Sequence, residues 1–267
     1  MTESTSEHTS DTPENTLETP KGVAMSAEVS INPKTDPNIE SIVRVEGLKR
    51  AYQQADRAVY ALNGVDFEVK RGEFSALMGP SGSGKTTLLN CVGALDLPTE
   101  GEVWVRGRAL STLSKRDRAT LRRDEVGFVF QSYNLLPVLT AYENAEFVLL
   151  ARGVPEAERR ERVMELLDAV GLGGLEGRRP AELSGGQQQR VAIARAMAGE
   201  PALILADEPT ANLDTKTGAA LIELMRALNE TRGVTFLFST HDPQVMEAAR
   251  RVIKLVDGQI DHDLVKS

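Results

Sequence analysis

A compact, mostly apolar segment, Phe74–Met78, runs without a break into Gly79-Pro80-Ser81-Gly82-Ser83-Gly84-Lys85-Thr86, and the segment from Thr86 to Gly93 reads as a helix. The octet matches G-x-x-x-x-G-K-[ST], and a strand before it with a helix after it is the setting in which this pattern binds phosphate. Glycines let backbone N–H groups converge on an anion with no Cβ in the way. The helix behind them adds the positive end of its dipole. Lys85 is placed to reach β- and γ-phosphates, and the Thr86 hydroxyl to ligate Mg2+. A Gly/Ser surface loop that matches by chance is the alternative, and the flanking strand and helix argue against it.

Short apolar segments recur along the chain. Residues 42–46, 58–62 and 64–69 alternate in part and predict antiparallel strands, and 101–106 predicts another. Val126–Phe130 and 234–239 read as core strands, and 202–206 as a strand covered on both faces. Residues 141–181 are predicted to be mainly helical, with Val163, Leu166, Leu167 and Val170 on one stripe that Gly171 stops. Leu221, Leu224, Met225 and Leu228 mark a further helix. Strands alternating with helices imply an α/β fold with a parallel core sheet, and sheets of that kind hold ligands at the C-terminal ends of their strands. No internal repeat is visible, so the chain carries one such unit.

Polar residues stand at those strand ends. Asp207-Glu208 follows Leu203-Ile204-Leu205-Ala206. An acid at the tip of a buried strand is costly unless it is hydrated, paired or near a metal. Asp207 is placed to hold Mg2+ through water and Glu208 to polarise an attacking water; capping of the next helix by one of them is the alternative. Gln131 follows Phe130, where an uncharged amide can touch Mg2+ or the water and swing away; taken alone, a solvent-exposed glutamine is the simpler reading. His241, after Thr240, can bond a γ-phosphate or orient Glu208 as a neutral imidazole, although a lone histidine is more often structural. In Leu183-Ser184-Gly185-Gly186-Gln187, Ser184 reads as a helix N-cap, yet a helix start with two glycines is also an anion site. One chain thus carries two candidate phosphate-binding helix ends.

The net charge of −8 over 267 residues argues against a broad nucleic-acid binder, which needs a positive field. Most of that charge lies in residues 1–42, which hold 8 acidic and 2 basic side chains. Residues 1–40 are rich in Thr, Ser, Glu and Pro and are predicted to be a disordered acidic tail, with Met25 an alternative start. Cys91 is the only cysteine, which leaves no intramolecular disulfide and suits a small apolar position on a helix. No run of about 18 apolar residues is present, and no basic-then-apolar leader is evident. Spanning helices would have to come from another chain.

The ordered set 79–86, Gln131, 183–187, 203–208, Asp214 and His241 resembles the ATP-binding cassette (ABC) ATPases, over about residues 42–261. The resemblance implies a P-loop NTPase fold with a parallel core sheet, an antiparallel β subdomain and a helical subdomain at about 133–186. The ATPase domain would span 41–262, with 263–267 as a C-terminal end. It implies ATP and Mg2+ as ligands: nucleotide contacts from residue 79 through Thr87, with Tyr52 stacking on adenine; Lys85, Gln131, Glu208 and His241 in catalysis; and Thr86, Gln131 and Asp207 at the metal. It further implies a head-to-tail homodimer, in which ATP lies between the 79–86 loop of one subunit and Ser184, Gly185, Gly186 and Gln187 of the other, with Asp214 linking the two sites. The stretch after Gln131 would receive a short helix from an integral membrane permease, at the cytoplasmic face of the membrane. Phe128-Val129-Phe130-Gln131-Ser132-Tyr133-Asn134-Leu135-Leu136-Pro137 and Asp207-Glu208-Pro209-Thr210-Ala211-Asn212-Leu213-Asp214 look like the lipoprotein-releasing and macrolide-exporting branch. A cell-division ATPase that signals through a membrane partner without transport is the alternative. Soluble relatives acting on DNA or in translation usually carry two cassettes, coiled-coil insertions or zinc motifs, and this chain has none, so no nucleic-acid partner is expected.

Overall fold

The computed structural model describes residues 1, 40–54 and 57–266. Apart from Met1 and Glu40, the expected acidic tail lies outside the described residues, as does the alternative start at Met25.

Strands β1 (Ser41–Gln54) and β2 (Arg57–Lys70) pair antiparallel. β3 (Phe74–Met78) leads through the 79–84 loop to α1 (Lys85–Val92). β4 (Glu100–Val105) returns to pair with β1, and β5 (Arg108–Ala109) closes a four-stranded antiparallel sheet of order β2-β1-β4-β5. After α2 (Lys115–Glu125) comes β6 (Val126–Phe130), then the helices α3 (Ala141–Ala151), α4 (Glu156–Ala169) and α5 (Gly185–Ala198). The chain ends with β7 (Leu203–Asp207), α6 (Thr215–Arg232), β8 (Thr235–Thr240), α7 (Pro243–Ala248), β9 (Arg251–Val256) and β10 (Gln259–Val265). The second sheet has order β10-β9-β3-β8-β7-β6, all parallel except the edge strand β10. The α/β class with a parallel core and an antiparallel sheet is as the sequence predicts.

Alternation along the core strands explains why their sequences are mostly apolar. Phe74, Phe236, Phe238, Ile204 and Ala206 face one cluster, which also takes Val191, Leu221 and Met225 from the helices. Leu77, Leu237, Leu203 and Leu205 face the other, which reaches α1 and the antiparallel sheet through Leu88, Val92, Val43 and Leu62. A strand with a period of 2 and a core on each side has no polar face to show.

Four features differ from what the sequence predicts. Residues 58–62 and 64–69 belong to one strand. Leu48 pairs with Val65 and Lys49 with Asn63, so Gly64, at φ 81, is an extra residue bulged out of β2 and not a strand end. Helix α2 carries no apolar stripe, since Leu121 is its one buried residue. It is marked instead by its cap, where the Ser114 hydroxyl accepts the Asp117 N–H at 3.1 Å. The 141–181 region holds two helices, and its last part is loop with a single 3-10 turn at Pro180–Glu182. At the C-terminus, β10 carries the sheet past the expected boundary at 262. Arg251 pins it, donating to Asp263 at 2.7 and 2.8 Å and to Glu73 at 3.1 Å.

Cys91 is fully buried on α1 as expected, and burial pushes its thiol up to about 12. Thiolate is the reactive form, so maleimide at pH 8 should label the folded protein negligibly and the urea-unfolded protein stoichiometrically. Fast labelling of the folded chain would contradict this placement.

Candidate active site

Four parallel strands stop at one rim. Met78 pairs with Thr240, Asp207 with Ser239, and Phe130 with Asp207. The residues just beyond them are Gly79, His241, Glu208 and Gln131. The register of the sheet therefore gathers residues far apart in the chain, at the place where open α/β sheets hold ligands.

The loop itself is tightly held from behind. Gly84 lies at φ 102, and a Cβ there would meet the Ala61 carbonyl oxygen at 2.4 Å. A Cβ on Gly79 would meet the Leu255 carbonyl oxygen at 2.1 Å. The Gly258 N–H donates to the Ser83 carbonyl at 3.0 Å. Lys85 is buried, and its ammonium donates to the carbonyls of Gly79 at 2.7 Å and Pro80 at 3.1 Å, so its charge is held inside the loop. Pro80, Ser81 and Gly82 are exposed, Thr87 is half-buried, and the Ser83 hydroxyl is buried with no hydrogen-bond partner.

Beside the loop, the Thr86 hydroxyl donates to both oxygens of Asp207, at 3.1 and 3.2 Å. The Ser239 hydroxyl donates to the same carboxylate. Ser239 was not singled out by its sequence, although a polar residue at the end of an apolar strand was a usable signal. Glu208 adopts φ 46, a left-handed conformation that costs an L-residue about 1–2 kcal/mol. Its N–H donates to the Ser239 carbonyl at 2.9 Å, which fixes that conformation. One carboxylate oxygen, Oε1, lies 2.9 Å from Nδ1 of the exposed His241. The other, Oε2, is buried and has no hydrogen-bond partner. A buried acceptor left unpaired costs about 1–3 kcal/mol, so the site is built to offer this oxygen to something else.

Gln131 is exposed at the same rim, and its carbonyl accepts from Asn212 Nδ2 at 3.0 Å. Tyr52 stands apart on the β1–β2 hairpin. Its hydroxyl donates to Asp96 at 2.9 Å, and the Arg50 guanidinium lies 4.6 Å from its ring centroid. Burial pushes the Asp96 carboxyl up, but hydrogen bonds from Tyr52, Leu97 and Arg50 outweigh this and leave it below its ordinary value.

The 184–187 turn makes only local contacts of its own. Ser184 Oγ accepts the Gln187 N–H at 3.3 Å, and Gln187 Oε1 accepts the Ser184 N–H at 2.9 Å. This capping box starts α5. Gly185 lies against Tyr133 and Gly186 against Thr217. Asp214 caps α6 by accepting from Lys216 at 3.1 Å and Thr217 at 3.0 Å. Hydrogen bonds from the Thr217 side chain and backbone hold its carboxyl below the usual range. Thr86 thus bonds Asp207 and His241 bonds Glu208, with Ser239 bonded to both acids and Lys85 beside Thr86 in the chain, while none of the hydrogen bonds of Tyr52 or Ser184 reaches them.

A cleft of about 430 Å³ opens away from the phosphate loop, between the core and the helices that follow Gln131. Leu95, Phe128, Val148, Asn134, Arg152 and Arg195 are among its lining residues. Leu136, Val138, Phe147 and Leu150 are exposed apolar side chains on that loop and α3.

The model of the ABC transporter family matches residues 62–211. The chain is 45% identical over 221 residues to the lipoprotein-releasing system ATP-binding protein LolD 1 of Rhodopseudomonas palustris, covering 82% of this chain and 98% of that one. It is 47% identical over 225 residues to the macrolide export ATP-binding/permease protein MacB of Brucella melitensis, covering 84% of this chain and 35% of that longer protein. Among solved structures it is similar to the dimeric, post-hydrolysis state of the cassette MJ0796 of Methanocaldococcus jannaschii bound to ADP and Pi, with 43% identity, a TM-score of 0.79, and coverage of 84% of this chain and 99% of that one. The fold, the order of motifs and these likenesses agree: this chain belongs to the ABC transporter family as an ATP-binding cassette, and it resembles the branch of the lipoprotein-releasing and macrolide-exporting components.

Proposed function

We propose that this chain binds and hydrolyses ATP as one half of a head-to-tail homodimer, and that closure of the dimer drives a membrane permease. The observation that carries the reading is the strand-end rim, where Thr86 bonds Asp207, His241 bonds Glu208 and a Glu208 oxygen is left unpaired, next to the loop that holds Lys85. Lys85 would give up its loop carbonyls for the β- and γ-phosphate oxygens, which are stronger acceptors. The 79–87 backbone would hold the rest of the triphosphate at the start of α1. Glu208 Oε2 would accept a proton from the attacking water, and His241 would keep the carboxylate oriented through Oε1. Tyr52 would carry the adenine.

The donor set fits Mg2+. Thr86 and Asp207 present hard oxygens side by side, and Gln131 adds an amide at the rim. Among the described residues no cluster of three or more His, Cys, Asp or Glu side chains could hold a metal by itself. A cation that binds through one or two protein oxygens and the substrate phosphates suits that count. When bound, Mg2+ would neutralise phosphate charge.

The name of the solved relative describes a dimer, and Ser184 already opens a helix whose first N–H groups have no partners within the helix. That turn is the natural receiver for the γ-phosphate held by a second copy. The permease is proposed to dock at the cleft and exposed apolar side chains after Gln131. No helix of the described residues is long and apolar enough to cross a membrane, so crossing is assigned to the permease, with this chain peripheral at the cytoplasmic face. The relatives' names suggest lipoprotein release or macrolide export, and the proposal extends to peptide-like cargo, with the permease making the choice.

The test is Ser184→Arg in a Glu208→Gln background. Bulk and misplaced charge at the turn should abolish ATP-driven dimerisation in light scattering while each monomer still binds ATP. Dimers forming at an unchanged concentration would sink the cross-subunit role of Ser184.

A further inference from the structure

We propose that Tyr133 and Arg195 form a clamp between Gln131 and helix α5, and that they act as positioning residues which carry the state of Gln131 to the 184–187 turn. The inference rests on the dimeric ATPase reading above and adds the path inside one subunit that joins its two phosphate-facing elements.

The path begins with backbone strain. Directly after Gln131 and Ser132, Tyr133 has φ 60 and Asn134 has φ 49. Two successive side-chain-bearing residues in the left-handed region are unusual, and an aromatic one is an outlier. Such conformations persist only where the surroundings impose them, and they gather at switch regions. The imposing group is Arg195 on α5. Its guanidinium donates to the Tyr133 carbonyl at 2.9 Å and also to the Asn134 carbonyl. A planar fork can hold two neighbouring carbonyls at once, whereas a lysine ammonium is a single point of charge. No carboxylate pairs with Arg195 among the described residues, and burial pulls its pKa down, so the two carbonyls are its principal solvation.

The Tyr133 side chain grips the same helix at its other end. A Cβ on Gly185 would lie 2.8 Å from the Tyr133 hydroxyl, so the phenol rests on the first turn of α5. Residues 131–134 therefore hold α5 both where Ser184 caps it and in its C-terminal half. On the opposite side, the Gln131 carbonyl is tied to Asn212, in the loop that leads to Asp214. A shift of the Gln131 backbone cannot occur without moving α5 or breaking the clamp, because a hydrogen-bonded helix displaces as a rigid body. Nucleotide binding by one copy and presentation of Ser184 to the next are thereby joined through contacts that touch neither nucleotide.

The experiment starts from Glu208→Gln and measures two quantities: ATP affinity of the monomer with a fluorescent ATP analogue, and the ATP-driven dimer constant by analytical ultracentrifugation. If Glu208→Gln alone fails to dimerise with ATP, the functional reading falls and the clamp falls with it. If it dimerises, adding Arg195→Ala should weaken the dimer by about tenfold or more, with monomer affinity and melting temperature little changed. Arg195→Lys should recover part of the loss by reaching one carbonyl. An unchanged dimer constant overturns the clamp, and so does a loss of monomer affinity equal to the loss of dimerisation. If Arg195→Ala does not fold, Tyr133→Ala decides, since it keeps the guanidinium and takes the phenol off Gly185: a weakened dimer supports the clamp and an unchanged one overturns it.

Discussion

Glu208→Gln is expected to lower ATP turnover by about a hundredfold or more while leaving ATP affinity within a factor of about two or three. The substitution keeps the shape of the side chain and changes the chemistry of one buried atom. In the native chain Oε1 is engaged by His241 and Oε2 is buried without a partner. An amide can still meet His241 through its oxygen, but its NH2 then occupies the place of the free acceptor and cannot take a proton. Binding should survive because Lys85 and the loop backbone are untouched. ATP-loaded dimers should therefore accumulate, visible as a shift in gel filtration with ATP that ADP does not produce. Turnover close to that of the unmodified chain would remove Glu208 from the role of base.

Lys85→Ala should do the reverse, weakening nucleotide binding by about 10- to 100-fold, the scale of one or two charge-assisted hydrogen bonds. The ammonium bridges the Gly79 and Pro80 carbonyls within the loop, so its removal deletes a cation and also leaves two carbonyls turned toward an anion. Calorimetric titration with ATP measures the effect, and circular dichroism checks that α1 is intact. An affinity within threefold of the unmodified chain would show that the loop backbone alone binds the phosphates. The contrast between the two variants separates binding from hydrolysis.

Much of this site was legible in the sequence because its parts sit at strand ends, and strand ends were readable. Phe74–Met78, 202–206 and 234–239 are mostly apolar, so the polar residues that follow each run mark the rim. That logic found Asp207, Glu208 and His241. It passed over Ser239, the polar last residue of its run, whose place beside Asp207 is set by the parallel register. Asn212 and Arg195 were invisible for a related reason: each bonds a backbone carbonyl far away in the chain, and carbonyls leave no trace in residue identity. Helix α2 was missed because its surface is charged on nearly every side. The edge strand β10 escaped for want of an apolar face, its residues being mostly exposed.

The left-handed backbone at Glu208 has a consequence for how this protein can change over generations. Glycine or asparagine would suit φ 46 better than glutamate, so selection for stability alone would favour replacing it. Under the proposed reading, the same replacement removes the base and with it the turnover. Position 208 is then a place where robustness and activity pull in opposite directions. The strain is tolerated because β8, through the Ser239 carbonyl, enforces the conformation from outside. Drift that displaces the Ser239 carbonyl would thus erode catalysis, and lineages that abandon hydrolysis but keep nucleotide binding should relax first at this residue.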